Sequence, residues 1–98
     1  MSFLPLTHSV IYVLVDPRDG LIRYVGTSQN PNTRLKEHVR EIDGESKVKV
    51  WIKGLIESGS RPLMVIIDTV ISDEAEKCEM EWIDHFDKFG HLHNNRKK

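Results

Sequence analysis

From His8 the chain runs through HSVIYVLVD, a β-branched and aromatic stretch that is apolar on both alternating faces. That is the pattern of a strand covered on both sides, as at the centre of a sheet. DPRDG, Asp16 to Gly20, is a cluster of turn residues, and LIRYVGT is a second strand-like run. The two runs predict a hairpin. With Asp16 to Gly20 as its loop, Val15 faces Leu21, and counting back sets Tyr12 opposite Tyr24. Opposite residues of an antiparallel pair project from one face with Cβ atoms about 5 Å apart, so this register puts the phenols side by side. A slip of one would send them to opposite faces.

The period then changes. Asn30 is a predicted N-cap with Pro31 at the first helical position. Leu35, Val39 and Ile42 recur at helical spacing toward the core, while Arg34 and His38 lie four apart on a neighbouring stripe. DGES ends that helix. A second covers about Lys47 to Glu57, burying Val48, Trp51, Ile52 and Leu55, with Gly59 past its end. PLMVIIDTV reads as a third strand and ISDEAEKCEMEWIDHFDKFG as a third helix, with Asp73 and Glu76 spaced as a capping box. The apolar stripe of that helix runs Ala75, Trp82, Ile83, Phe86, and Glu79 falls into it. A carboxylate facing a core is costly unless it is paired, protonated or bound to a metal. The order ββααβα predicts one α+β domain over residues 1–98, a small three-stranded antiparallel sheet flanked by about three helices.

Composition narrows the class. A chain of 98 residues suits one core, and 39% hydrophobic with 30% charged residues is ordinary for a globular protein. No apolar run reaches the roughly 20 residues that span a bilayer, so no membrane partner is expected. The opening MSFLPLTHS lacks a charged region followed by a long apolar one, and the single Cys78 has no internal disulfide partner. A reducing cytoplasm is the expected location, with Cys78 a small buried filler. The formal charge of −1 does not advertise nucleic-acid binding, but the acids concentrate between Asp73 and Asp87 and the bases spread over Arg18 to Lys53, so a local basic face is possible.

Taken singly, Tyr12 and Tyr24 read as core aromatics, Gly26 as a bend, Arg34 and His38 as a solvated helix face, and Asn94 as a turn residue. Taken together they resemble the GIY-YIG nuclease superfamily. VIY, Val10 to Tyr12, stands for Gly-Ile-Tyr, and YVG, Tyr24 to Gly26, for Tyr-Ile-Gly. Arg34 follows Tyr24 by ten residues and His38 by fourteen, where the family has a helical arginine and a histidine or tyrosine. Glu79, three before Trp82, looks like the family's metal-binding glutamate, and Asn94 like its late asparagine. The likeness spans about Ser9 to Asn94. Three departures stand out. Val10 replaces the first glycine, Thr27 follows YVG where DNA-repair excision members tend to have lysine, and Lys47 stands near a further histidine of some homing members. No added recognition segment is visible.

The resemblance implies Mg²⁺-dependent (or Mn²⁺-dependent) hydrolysis of phosphodiesters in DNA, with one ion per site held by Glu79. It implies that Arg34 meets charge building on the phosphate. Tyr12 would be the general base, its pKa lowered by nearby cations, and His38 would relay the proton or position Tyr12. Tyr24 would orient water or phosphate, Gly26 would let the backbone approach DNA, and Asn94 would fix the end of the third helix near Glu79. A weak homodimer is a further expectation. The alternative is a catalytically silent module that keeps the fold to bind nucleic acid or protein.

Overall fold

β1 (His8–Val15) lies in the middle of a three-stranded antiparallel sheet, between β2 (Ile22–Ser28) and β3 (Leu63–Ile71), in a computed structural model that describes residues 7–41 and 44–94. Its both-faces-apolar pattern is explained by a core on each side. On one side Tyr12 and Leu14 pack with Trp51, Ile52 and Leu55 of α2 (Lys47–Glu57) and with Leu35 of α1 (Pro31–Arg40). On the other, Ile11, Val13 and Val25 pack with Ile83 of α3 (Ala75–Asp87) and, half-buried around it, Cys78, Trp82 and Phe86. The architecture is α+β in the order ββααβα, as the pattern predicts.

The hairpin forms, but in a different register. Tyr12 faces Gly26 and Leu14 faces Tyr24, while Val15 faces Ile22 across a bulge at Leu14/Val15. Leu21 is drawn into the loop, where its carbonyl accepts from Asp16 N–H at 2.9 Å, and the bulge absorbs Arg23 as the extra residue. The strands are therefore displaced by two positions from the predicted pairing. An even displacement leaves face parity unchanged, so both phenols still project toward α1 and α2.

Asn30 caps α1 as predicted, its side chain accepting from Thr33 N–H at 3.4 Å. Leu35 and Val39 are only half-buried and α1 buries no residue fully; Ile42 lies outside the described residues. α2 starts at a Ser46 cap and ends in a Schellman arrangement, with Ser60 N–H on Leu55 O and Gly59 N–H on Ile56 O. That arrangement needs the left-handed φ of +86° at Gly59. The capping box of Asp73 and Glu76 does not form. Ser72 to Glu74 make a 3₁₀ turn, and α3 begins at Ala75 with no side-chain cap. The Ser72 hydroxyl is instead 2.8 Å from that of Ser9, which ties the turn to β1.

Asp16 is the main departure from a solvated turn. Its carboxylate is 1% exposed and accepts from Arg18 Nε, Nη2 and backbone N–H at 3.0, 2.8 and 2.9 Å, and from Trp51 Nε1 at 2.9 Å. These donors hold its pKa below the usual carboxylate range, the Arg18 side chain foremost. The hairpin loop is thereby fastened to α2.

Candidate active site

The constellation begins with a space left by a missing side chain. Gly26 sits opposite Tyr12, and a Cβ there would fall on the phenol's Oη, Cζ and Cε2. The Tyr12 ring therefore lies over the Gly26 backbone. Gly26 is buried, and its close approach is to the Tyr12 ring, which it seats.

The seated ring points its hydroxyl at α1. Tyr12 Oη is 2.7 Å from His38 Nε2. Tyr24 completes an aromatic trio, its ring centroid 6.3 Å from that of Tyr12 and 5.3 Å, edge-on, from that of His38. Arg34, one turn before His38, stands close enough to both phenols to favour their ionised forms, and its Nη1 is 3.7 Å from Glu37 Oε1. Tyr24, Arg34 and His38 share a cleft of about 150 Å³ with Glu37, Val48 and Lys49.

Glu79 comes from the other layer. α3 packs on the opposite face of the sheet, and β2 is the edge strand over which the two layers meet. The half-buried Glu79 carboxylate lies beside Thr27 of β2, whose hydroxyl and backbone N–H favour its ionised form, and is felt electrostatically by Tyr12, Tyr24 and Arg34. Thr27, which reads in the sequence only as a departure from the family pattern, is thus a partner of Glu79. Asn94 lies further along the same edge. Its Oδ1 accepts from Val25 N–H at 2.9 Å and its Nδ2 donates to Val25 O at 2.8 Å, so it caps the free edge of β2 like an added strand residue, rather than holding the end of α3.

The protonation states follow from burial. Tyr12 is pushed well above the ordinary phenol value by burial and by Tyr24, with Arg34 opposing. Arg34 lowers it, as expected of a nearby cation, and desolvation of the phenol outweighs Arg34. Tyr24 is raised by burial and by Glu79. His38 is lowered to about 4 by burial and by the Arg34 charge. At neutral pH the phenol keeps its proton and the imidazole is neutral. The Tyr12 O–H therefore donates to His38 Nε2, and the ring's own proton sits on Nδ1. Glu79 is raised by burial, with Thr27 opposing. Among the described residues no three of His, Cys, Asp or Glu gather into a metal cage, and no helix is long and apolar enough to cross a membrane.

Neither the curated proteins nor the solved structures include a significant match to this chain. The GIY-YIG catalytic domain, a nuclease domain, matches residues 8–95, nearly the whole chain and a span that contains the constellation above. The chain belongs to the GIY-YIG family.

Proposed function

We propose that this chain is a divalent-metal-dependent endonuclease that hydrolyses phosphodiesters of DNA at the cluster of Tyr12, Tyr24, Arg34, His38 and Glu79. The observation that carries the reading is the 2.7 Å contact between Tyr12 Oη and His38 Nε2, beside a permanently charged Arg34. A buried phenol hydrogen-bonded to a neutral imidazole is a ready proton path. Tyr12 is fully buried behind the cleft, so a water reaches its oxygen only as substrate binding opens that side of the ring; the water then gives its proton to the phenol oxygen as the phenol proton passes to His38 Nε2. This concerted transfer avoids a free phenolate, which burial disfavours; burial and Arg34 disfavour the imidazolium as well, so His38 passes the proton on to the water of the cleft. Arg34 can reach two phosphate oxygens at once and meets the charge that develops on the phosphate. Tyr24, edge-on to His38, keeps the imidazole in line.

The donor chemistry of Glu79 fits a divalent ion. Its carboxylate is half-buried, is raised in pKa by that burial, and forms no ion pair among the described residues. Mg²⁺ needs only one or two carboxylates and keeps several waters, so Glu79 can hold one ion without a cage. The ion would supply Lewis-acid polarisation of the phosphate and support for the leaving 3′ oxygen. Soluble and intracellular action on DNA belongs to the same proposal. Nicking of supercoiled plasmid with Mg²⁺, lost with EDTA and lost in Tyr12→Phe, is the expected result. Intact plasmid under all divalent-metal conditions, with DNA still bound, would make the chain a silent binding module.

A further inference from the structure

α1 has a second functional face. We propose that Lys36 and Arg40 of α1, with Arg61 from the connection between α2 and β3, form a row of contacts to the sugar–phosphate backbone of duplex DNA, on the flank of α1 away from the catalytic cluster. This rests on the nuclease reading above and adds a substrate surface to it. The three cations rim one open cleft of about 350 Å³, floored by Leu35, Val39 and Pro62. All three are exposed, and none forms an ion pair among the described residues. Lys36 and Arg40 lie one helical turn apart, a like-charge spacing that weakens a helix. The fold brings Arg61 to the same rim from a different element. Folding alone would favour an acid among three such cations.

The charge of the molecule is polarised accordingly. A chain of net charge −1 carries this cationic flank on α1, while the exposed acids Glu74, Glu76, Glu81, Asp84 and Asp87 gather on the layer of α3. Three exposed cations spread over two elements suit an extended polyanion better than a small enclosed anion. The position is also suitable. At 3.6 residues per turn, Lys36 projects about 160° from Arg34 around the helix axis. A helix with its side chains is about 10–12 Å across, close to the roughly 12 Å width of the major groove. Arg34 and the Lys36–Arg40–Arg61 row can thus address phosphates on the two walls of one groove.

The test compares Arg40→Gln/Arg61→Gln with Lys77→Gln/Lys88→Gln, an equal charge change on the exposed side of α3. Binding of a short fluorescent duplex is measured across a salt series, together with plasmid nicking. The arginine double variant should reduce the slope of log K against log salt by about 1.8, since each phosphate contact contributes about 0.9. It should raise KM with kcat unchanged, and Arg40→Lys/Arg61→Lys should keep most of the slope. The lysine double variant should match the wild type. Equal slopes for the two glutamine variants, both folded by melting, would overturn the proposal. The arms separate two failures. Absent nicking with a reduced slope removes the nuclease reading and leaves the surface. Intact nicking with an unchanged slope removes the surface and leaves the nuclease.

Discussion

Gly26→Ala adds a single methyl where the Tyr12 phenol already lies. The new Cβ would collide with Oη, Cζ and Cε2 of a ring that is fully buried against α2. Neither partner can easily yield: Gly26 is mid-strand, and the Tyr12 ring is held between β2 and Trp51, Ile52 and Leu55. Overpacking of this kind costs about 1–3 kcal/mol. Replacing a strand glycine recovers about 0.5–1 kcal/mol of backbone entropy. The difference is a net loss of up to about 2.5 kcal/mol, and at about 4–8 °C per kcal/mol for a domain of this size the melting temperature should fall by up to about 20 °C. The ring can relieve the clash only by leaving its 2.7 Å contact with His38. A misplacement of about 1 Å at a catalytic group can cost about a hundredfold, so nicking should fall by that order in the protein that remains folded. Melting and nicking are measured for Gly26→Ala, Tyr12→Leu and the double variant. Leucine lacks all three colliding atoms, so the double variant should be more stable than the sum of the singles, with a coupling of about 0.5–3 kcal/mol. A Gly26→Ala protein that melts and nicks like the wild type would refute the seating of Tyr12 by Gly26.

Tyr12→Phe should fold normally and lose about 10²–10⁴-fold in nicking rate at saturating DNA, the range for a general base, with DNA binding retained. For Glu79, a folded pKa above the ordinary 4.5 means that stability present at low pH is lost as pH rises through that region. Glu79→Gln should therefore raise the melting temperature at pH 7, with the gain shrinking below pH 4.5, and should abolish nicking; a drop in neutral-pH stability would mark a structural ion pair instead. His38 has the opposite linkage: with a folded pKa of about 4 against 6.5, its contribution is lost as pH falls from 6.5 toward 4, so His38→Gln should flatten that limb of the stability profile. Trp51→Phe removes one donor from the buried Asp16 carboxylate and should cost about 1–3 kcal/mol by chemical denaturation.

The sequence by itself determined the elements and their order. The apolar faces of HSVIYVLVD required a strand with a core on each side, and β1 is the central strand, with β2 and β3 on its edges and the helix layers on its two faces. Periodicity and caps fixed α1 at Asn30–Pro31 and α2 at Lys47–Glu57, since those signals are local hydrogen-bond chemistry. The candidate residues Tyr12, Tyr24, Arg34, His38 and Glu79 were legible as types at spacings. Their convergence was only half legible. Face parity survives an even displacement, so the two phenols shared a face in either register, but the bulge that chose Gly26 as the partner of Tyr12 depends on how the loop closes. The pKa directions were not legible either. Sequence shows an arginine near a tyrosine, whereas burial of the whole trio decides which effect is larger. Asp16 reads as a turn residue until Trp51, thirty-five positions later, donates to it. Glu79 and Asn94 meet β2 across long stretches of chain, at Thr27 and Val25. These pairings are set by the packing of layers, and no local pattern encodes which edge residue a distant side chain will reach.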